Sequence, residues 1–253
     1  MILWCDGAHA PAENMGRDRD LLERAERDPQ FEPVLRLFRF EPFGITLGHA
    51  QRPERELDLA ACERDRVPWA LRPTGGRAIF HAQGWTYSFA ARLRDPCWGG
   101  SLAHSYDAIS RLLLESLRWL GVPAEHASPR ELDDDRAPGI ATGGAASPCF
   151  ASTTRHEIVI AGRKLVGSAQ RRTAHALLQQ GSILLGNGHL ALADYLASGP
   201  LERATARQRL EQAATDAGAW LDGEAPLEQL AAALEHQLGH QIRRAEQPAA
   251  SGH

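Results

Sequence analysis

The feature that most constrains this chain is the irregular order of its two hydrophobic periodicities. Apolar residues alternate with a period of two in Val34-Leu35-Arg36-Leu37-Phe38-Arg39-Phe40 and again from Trp85 to Leu93, as half-buried strands require. Ile45–Leu47, closed by Gly48, reads as a further strand, and Gly181–Leu185 as another. Glu157–Ile160, a turn at Ala161-Gly162 and Lys164–Gly167 read as a β-hairpin. Arg72–His81 reads as a turn running into a strand, which the Trp85–Leu93 strand is expected to pair with.

The helical period is clearest over Ser101–Leu120, where Ile109, Leu112, Leu113, Leu117 and Leu120 share a face and Gly121 supplies a stop. Pro53 opens a helix with Leu57, Ala60, Ala61 and Val67 as its apolar residues. A polar helix over Arg17–Arg27 follows an N-terminal extension, and from Glu202 onward the pattern is mostly helical, with Leu227, Leu230, Ala233, Leu234 and Leu238 on one face. Strands and helices in this order do not form a regular β-α-β series. The fold class expected is therefore α+β, with a mixed, mainly antiparallel sheet flanked by helices.

A chain of 253 residues with 43% hydrophobic content is long enough for one large core and too apolar for disorder. The organisation expected is a catalytic domain over 1–200, a C-terminal helical appendage over 201–244 and a disordered tail over 245–253. The start, MILWCDGAHA, lacks the basic region of a secretory signal, and no apolar run is long enough to cross a bilayer, so a cytoplasmic protein without membrane contact is expected. A net charge of −4 argues against a general nucleic-acid binder.

Several familiar chemistries have no motif here. The cysteines at 5, 62, 97 and 149 show no C-x-x-C spacing, which argues against a zinc site or a disulfide frame. Gly186-Asn187-Gly188 runs into His-Leu-Ala and reads as a loop, not a dinucleotide fingerprint. His236 and His240 lie one helical turn apart, but Gln237 stands where a zinc protease has glutamate, so the pair reads as a solvated face. No metal and no cofactor are expected.

One count stands out. Lys164 is the only lysine among 28 basic residues. A position that keeps an ammonium in so arginine-biased a chain either survives by chance on the surface or needs a compact, tunable cation. Two segments add to this. In Arg72-Pro-Thr-Gly-Gly-Arg-Ala-Ile-Phe-His81, Gly75 and Gly76 form either an ordinary tight turn or a place where backbone approaches a ligand. In Gly162-Arg-Lys-Leu-Val-Gly-Ser-Ala-Gln170, Gly167, Ser168 and Ala169 are small where a strand favours branched residues, either at a bulge or where something packs on the backbone.

These segments, with Gln180-Gly-Ser-Ile-Leu-Leu185 after them, resemble the lipoate/octanoate protein ligase and transferase family over residues 15–190. The resemblance implies the biotin/lipoate protein ligase fold, related to class II aminoacyl-tRNA synthetases. It also implies acyl transfer to the lysine of a lipoyl domain, with Lys164 contacting the acyl carbonyl and Arg72, Gly75, Gly76, Arg77, His81, Gly167, Ser168 and Ala169 around the acyl group. ATP-using ligases of the family have a third glycine where Arg77 stands, and an asparagine–aspartate pair where this chain has Arg155-His156-Glu157.

Pro148-Cys149-Phe150, fifteen residues before Lys164, resembles instead the cysteine loop of LipM-type octanoyltransferases and of lipoyl-domain amidotransferases. That resemblance implies Cys149 as nucleophile and Lys164 as its activator. It implies octanoyl-acyl carrier protein as donor, and lipoyl-domain proteins (glycine cleavage H protein, dehydrogenase E2 subunits) as acceptors. An ATP-dependent lipoate ligase, an amidotransferase and a lipoyl-domain binder without activity are the alternatives. Arg72, Arg77, Arg163, Arg171 and Arg172 are expected to form a basic rim facing the carrier protein.

Overall fold

The computed structural model describes residues 1–127, 157–221 and 225–245. In chain order its elements are β1 (Ile2–His9), α1 (Pro11–Arg27), β2 (Val34–Phe40), β3 (Gly44–Leu47), the short helices α2 (Pro53–Glu56) and α3 (Leu59–Arg64), β4 (Trp69–Leu71), β5 (Ile79–His81), β6 (Gly84–Arg92) and α4 (Leu102–Trp119). Then come β7 (Glu125–His126), β8 (Ile158–Ile160), β9 (Arg163–Arg172), β10 (Ala176–Leu184), a 3-10 segment (Asn187–Tyr195), α5 (Pro200–Ala213), α6 (Leu227–Leu238) and β11 (Arg243–Ala245).

Eight strands form one sheet in the order β11-β1-β2-β6-β10-β9-β8-β7, and three form a small sheet, β4-β3-β5. The large sheet is parallel only at β11/β1/β2 and antiparallel elsewhere. The α+β class read from the sequence holds.

Alternation sorts the large sheet into two faces. Trp85, Tyr87, Phe89 and Ala91 of β6 point into the main core with Leu177 and Ile183 of β10, and α4 covers them with Ile109, Leu113 and Leu117. The intervening residues Thr86, Ser88, Gln180 and Ser182 turn to the opposite face, where α1 and the small sheet lie. Polar residues in mid-strand are thus not solvated here. They line an interior.

Three expectations need correction. The N-terminal extension is strand β1, and it pairs in parallel with β2 through the crossover helix α1. The strand at Ile79–His81 does not pair with the one after it: β5 lies on β3, whereas β6 runs between β2 and β10. The helix begun at Pro53 stops at Glu56 and restarts at Leu59 under an Asp58 cap, whose carboxylate accepts from the Ala61 N–H at 3.0 Å. At the C-terminus, Leu227, Leu230, Ala231 and Leu234 of α6 share the main core with α4, so this segment packs into the domain. Residues 246–253 lie outside the described set. Among the described residues no helix is long and apolar enough to cross a membrane.

Candidate active site

The Arg72–Ala78 loop is built around one buried guanidinium. Arg72 is 5% exposed and donates to the Gly75 carbonyl at 2.8 and 3.0 Å, to the Arg77 carbonyl at 2.7 Å and to the Thr46 carbonyl at 3.1 Å. Gly76 takes φ of +90°, open to glycine without strain. The loop lies so close to Gly48 that a Cβ there would stand 2.1 Å from the Gly76 oxygen.

A chain of buried polar contacts ties the same loop to the sheet. The Thr74 hydroxyl donates to Gln180 Oε1 at 2.6 Å, and Gln180 Nε2 donates to Asp18 Oδ2 at 2.5 Å. Asp18 also accepts from Ser88 at 2.6 Å and from Arg36 at 2.7 Å, and Arg36 reaches Asp6 at 2.7 Å. Arg36 and Asp18 are fully buried. Buried charges persist only where partners satisfy them, and here the partners come from β1, α1, β2, β6 and β10.

Beneath the loop is a narrow, mostly apolar cleft enclosing about 340 Å³, its open mouth included. Its apolar walls include Met15, Phe40 and Ile79 with His81, and the small residues Gly167, Ser168 and Ala169 of β9 with Gly181 of β10; Thr46, Arg72, Thr86, Gln180 and Ser182 complete it. The run of small residues is what keeps the space open. A second cavity of about 310 Å³ continues past Phe40 and His81 toward Leu184 and His189.

His81 stacks on Phe40 with ring centroids 3.9 Å apart, and its Nε2 lies 2.7 Å from the Thr46 hydroxyl. Burial and then the nearby Arg72 charge push its pKa down to about 3, so the imidazole is neutral. On the other face of β10, burial pushes the Tyr87 phenol up to about 12 against the lowering effect of its bonds to Gln179 and Ser168.

Lys164 stands on the cleft face because β9 carries a bulge. Ile158 pairs with Val166 but Val159 with Lys164, so Leu165 is the extra residue. Past the bulge the sides exchange: Val166 and Ile158 join the main core, whereas Lys164 shares the face of Gly167 and Ala169. Three strand residues, ~10 Å, separate Lys164 from Gly167. The ammonium pairs with the Glu157 carboxylate, and the two side chains are 3% and 4% exposed. The tight turn that closes this hairpin uses Ala161 and Gly162 at φ +49° and +75°.

Of the residues singled out from sequence, Arg72, His81, Gly167, Ser168 and Ala169 therefore meet at one cleft, with Lys164 farther along the same face. Gly75 and Gly76 belong to the loop above it, and Arg77 is exposed. Cys149 lies outside the described residues. The five arginines do not form one rim. Arg72 is buried, and Arg163 donates to the Glu211 carbonyl at 2.7 Å, at the end of a ten-residue strand (~30 Å) opposite Arg172. Arg171 and Arg172 reach the Pro73 carbonyl at 3.0 Å and Ser105 at 3.1 Å. Sequence reasoning missed Asp18, Phe40, Thr46, Thr74 and Glu157. Only the position of Glu157, at the head of the lysine hairpin, offered a signal.

The mixed sheet, with a cleft between its polar face and a glycine loop, has the fold of solved lipoate ligases. The bipartite lipoate protein ligase of Thermoplasma acidophilum superposes with a TM-score of 0.70 over 98% of this chain and 88% of its own, at 18% identity. Lipoate-protein ligase A bound with ATP superposes with a TM-score of 0.67 over the same shares, at 18% identity. The model of the lipoyl protein ligase A/B catalytic domain matches residues 10–239, and the chain belongs to that family.

Its curated relatives include octanoyltransferase LipM of Exiguobacterium sp., 32% identical over 89% of this chain and 80% of that protein. Octanoyltransferase LipM of Kyrpidia tusciae is 37% identical over 71% of this chain and 64% of its own length, and that of Bacillus subtilis 33% identical over 71% and 63%. The chain thus spans four fifths of the first relative and just under two thirds of the other two.

Proposed function

We propose that the chain is an octanoyltransferase that works in the cytoplasm. It takes an octanoyl group from its thioester on acyl carrier protein, holds it on Cys149, and passes it to the lysine of a lipoyl domain. The observation that carries this reading is the solitary lysine, buried on the same sheet face as an apolar cleft walled by Gly167 and Ala169. The relatives named octanoyltransferase support it.

The energetics need no nucleotide. Attack of the Cys149 thiolate on the donor thioester forms one thioester and releases another thiol, so the exchange is nearly balanced. Attack of the acceptor amine then gives an amide and frees Cys149, which is downhill. A thiol with an ordinary pKa near 8.5 is only a few per cent thiolate at neutral pH. Lys164 raises that fraction by its charge and donates to the oxyanion of each tetrahedral intermediate. The cleft contributes about 0.8 kcal/mol for each methylene it takes from water. Neutral His81 closes it without presenting a charge to the chain.

The test uses the full chain with octanoyl-carrier protein and an apo lipoyl domain, without nucleotide, with products weighed by mass spectrometry. Octanoyl-lysine formation that Cys149→Ser abolishes is expected. Modification only from free acid plus ATP, untouched by Cys149→Ala, would make the chain a ligase. Absence of product under both conditions would leave a lipoyl-domain binder.

A further inference from the structure

We propose that Glu157 is a positioning residue that holds the Lys164 side chain on the cleft face of β9, toward the reacting acyl carbonyl. This deepens the proposed reaction and rests on it. The two residues are seven apart in sequence and are brought together by the tight Ala161-Gly162 turn and the bulge at Leu165. Without that bulge, simple alternation would send Lys164 into the main core with Val166.

The pair is interior, with 3% of the lysine side chain and 4% of the glutamate side chain exposed, so the carboxylate fixes where the ammonium points. A buried ion pair adds little stability over a well-packed apolar pair, so stability is a poor reason to place one beside a cleft. Among the described residues, other charged groups at this end of β9 come from three elements. Arg163 turns its guanidinium to the carbonyls of Glu211 and Ala214. Asp216 follows Thr215, whose N–H binds the Lys164 carbonyl at 2.9 Å. His189 of the 3-10 segment lies within electrostatic reach of Arg163 and Asp216, and burial lowers its pKa, which keeps it neutral. The Glu157 carboxylate meets the ammonium directly.

The experiment measures single-turnover formation of the acyl-enzyme from octanoyl-carrier protein between pH 6 and 10, by intact mass, in the wild type, Glu157→Gln, Glu157→Asp, Glu157→Ala and Lys164→Ala. In Glu157→Gln the rate is expected to fall about tenfold across this range as the ammonium loses its fixed position. Glu157→Asp is expected to recover part of that loss. A wild-type profile in Glu157→Gln, with Lys164→Ala inactive, would overturn the inference. Should the glutamine variant fail to fold, a wild-type rate in Glu157→Ala would overturn it equally. A fully active Lys164→Ala, or no acyl-enzyme in the wild type, would instead refute the reaction on which the inference rests.

Discussion

Acidification should strain this fold at His81 in a way a single substitution can isolate. The imidazole is buried and neutral, with a pKa of about 3, while an unfolded histidine titrates near 6.5. Between those values the unfolded chain binds one more proton than the folded one, so stability falls as pH falls. The loss begins near pH 6.5, runs at about 1.4 kcal/mol per unit and is complete near pH 3, on the order of 4–5 kcal/mol in all. At pH 5 it is about 2 kcal/mol. His81→Gln keeps a polar group beside Thr46 and Ser182 but does not titrate. Urea unfolding of both proteins at pH 7.5 and 5.0 gives the comparison, since every other titrating group is common to the two. The wild type should lose about 2 kcal/mol more than the variant across that interval. Equal losses would show that His81 is protonated in the native state and would refute its role as a neutral wall of the cleft.

Two further outcomes follow from the same site. Ala169→Leu adds three carbons to the cleft wall and should expel two to three methylenes of the acyl chain, about 2 kcal/mol, raising KM for octanoyl donors about 30-fold; a butanoyl donor should be far less affected, and equal loss for both would remove Ala169 from the acyl site. Arg72→Lys cannot reach the carbonyls of Gly75, Arg77 and Thr46 together, so amide exchange in residues 74–78 should accelerate at least tenfold, against unchanged exchange in β6 and β10.

Much of the site was legible as chemistry before any geometry. A single lysine in an arginine-rich chain, paired glycines ahead of a histidine, and small residues inside a strand are each local departures from what a simple element would use. The network beneath the loop was not legible. Asp18 looks like one more polar residue on a polar helix, and Gln180 like an ordinary strand residue; only their meeting across 162 positions shows that the loop hangs from them. Phe40 read as one apolar residue of an alternating strand, with no sign that it would stack on His81.

By itself, then, the sequence determined the elements that depend on near neighbours. The strand at Val34–Phe40, the helix after Ser101 and the hairpin at Ala161-Gly162 all follow from periodicity, caps and turn residues. The tertiary structure alone decided which strands pair, that the first nine residues close the sheet edge with β11, and which way Lys164 faces. The reason is physical. Period and capping are written in residues a few positions apart, but pairing and burial are settled by contacts between distant segments, and one extra residue in a strand sends every side chain beyond it to the other face.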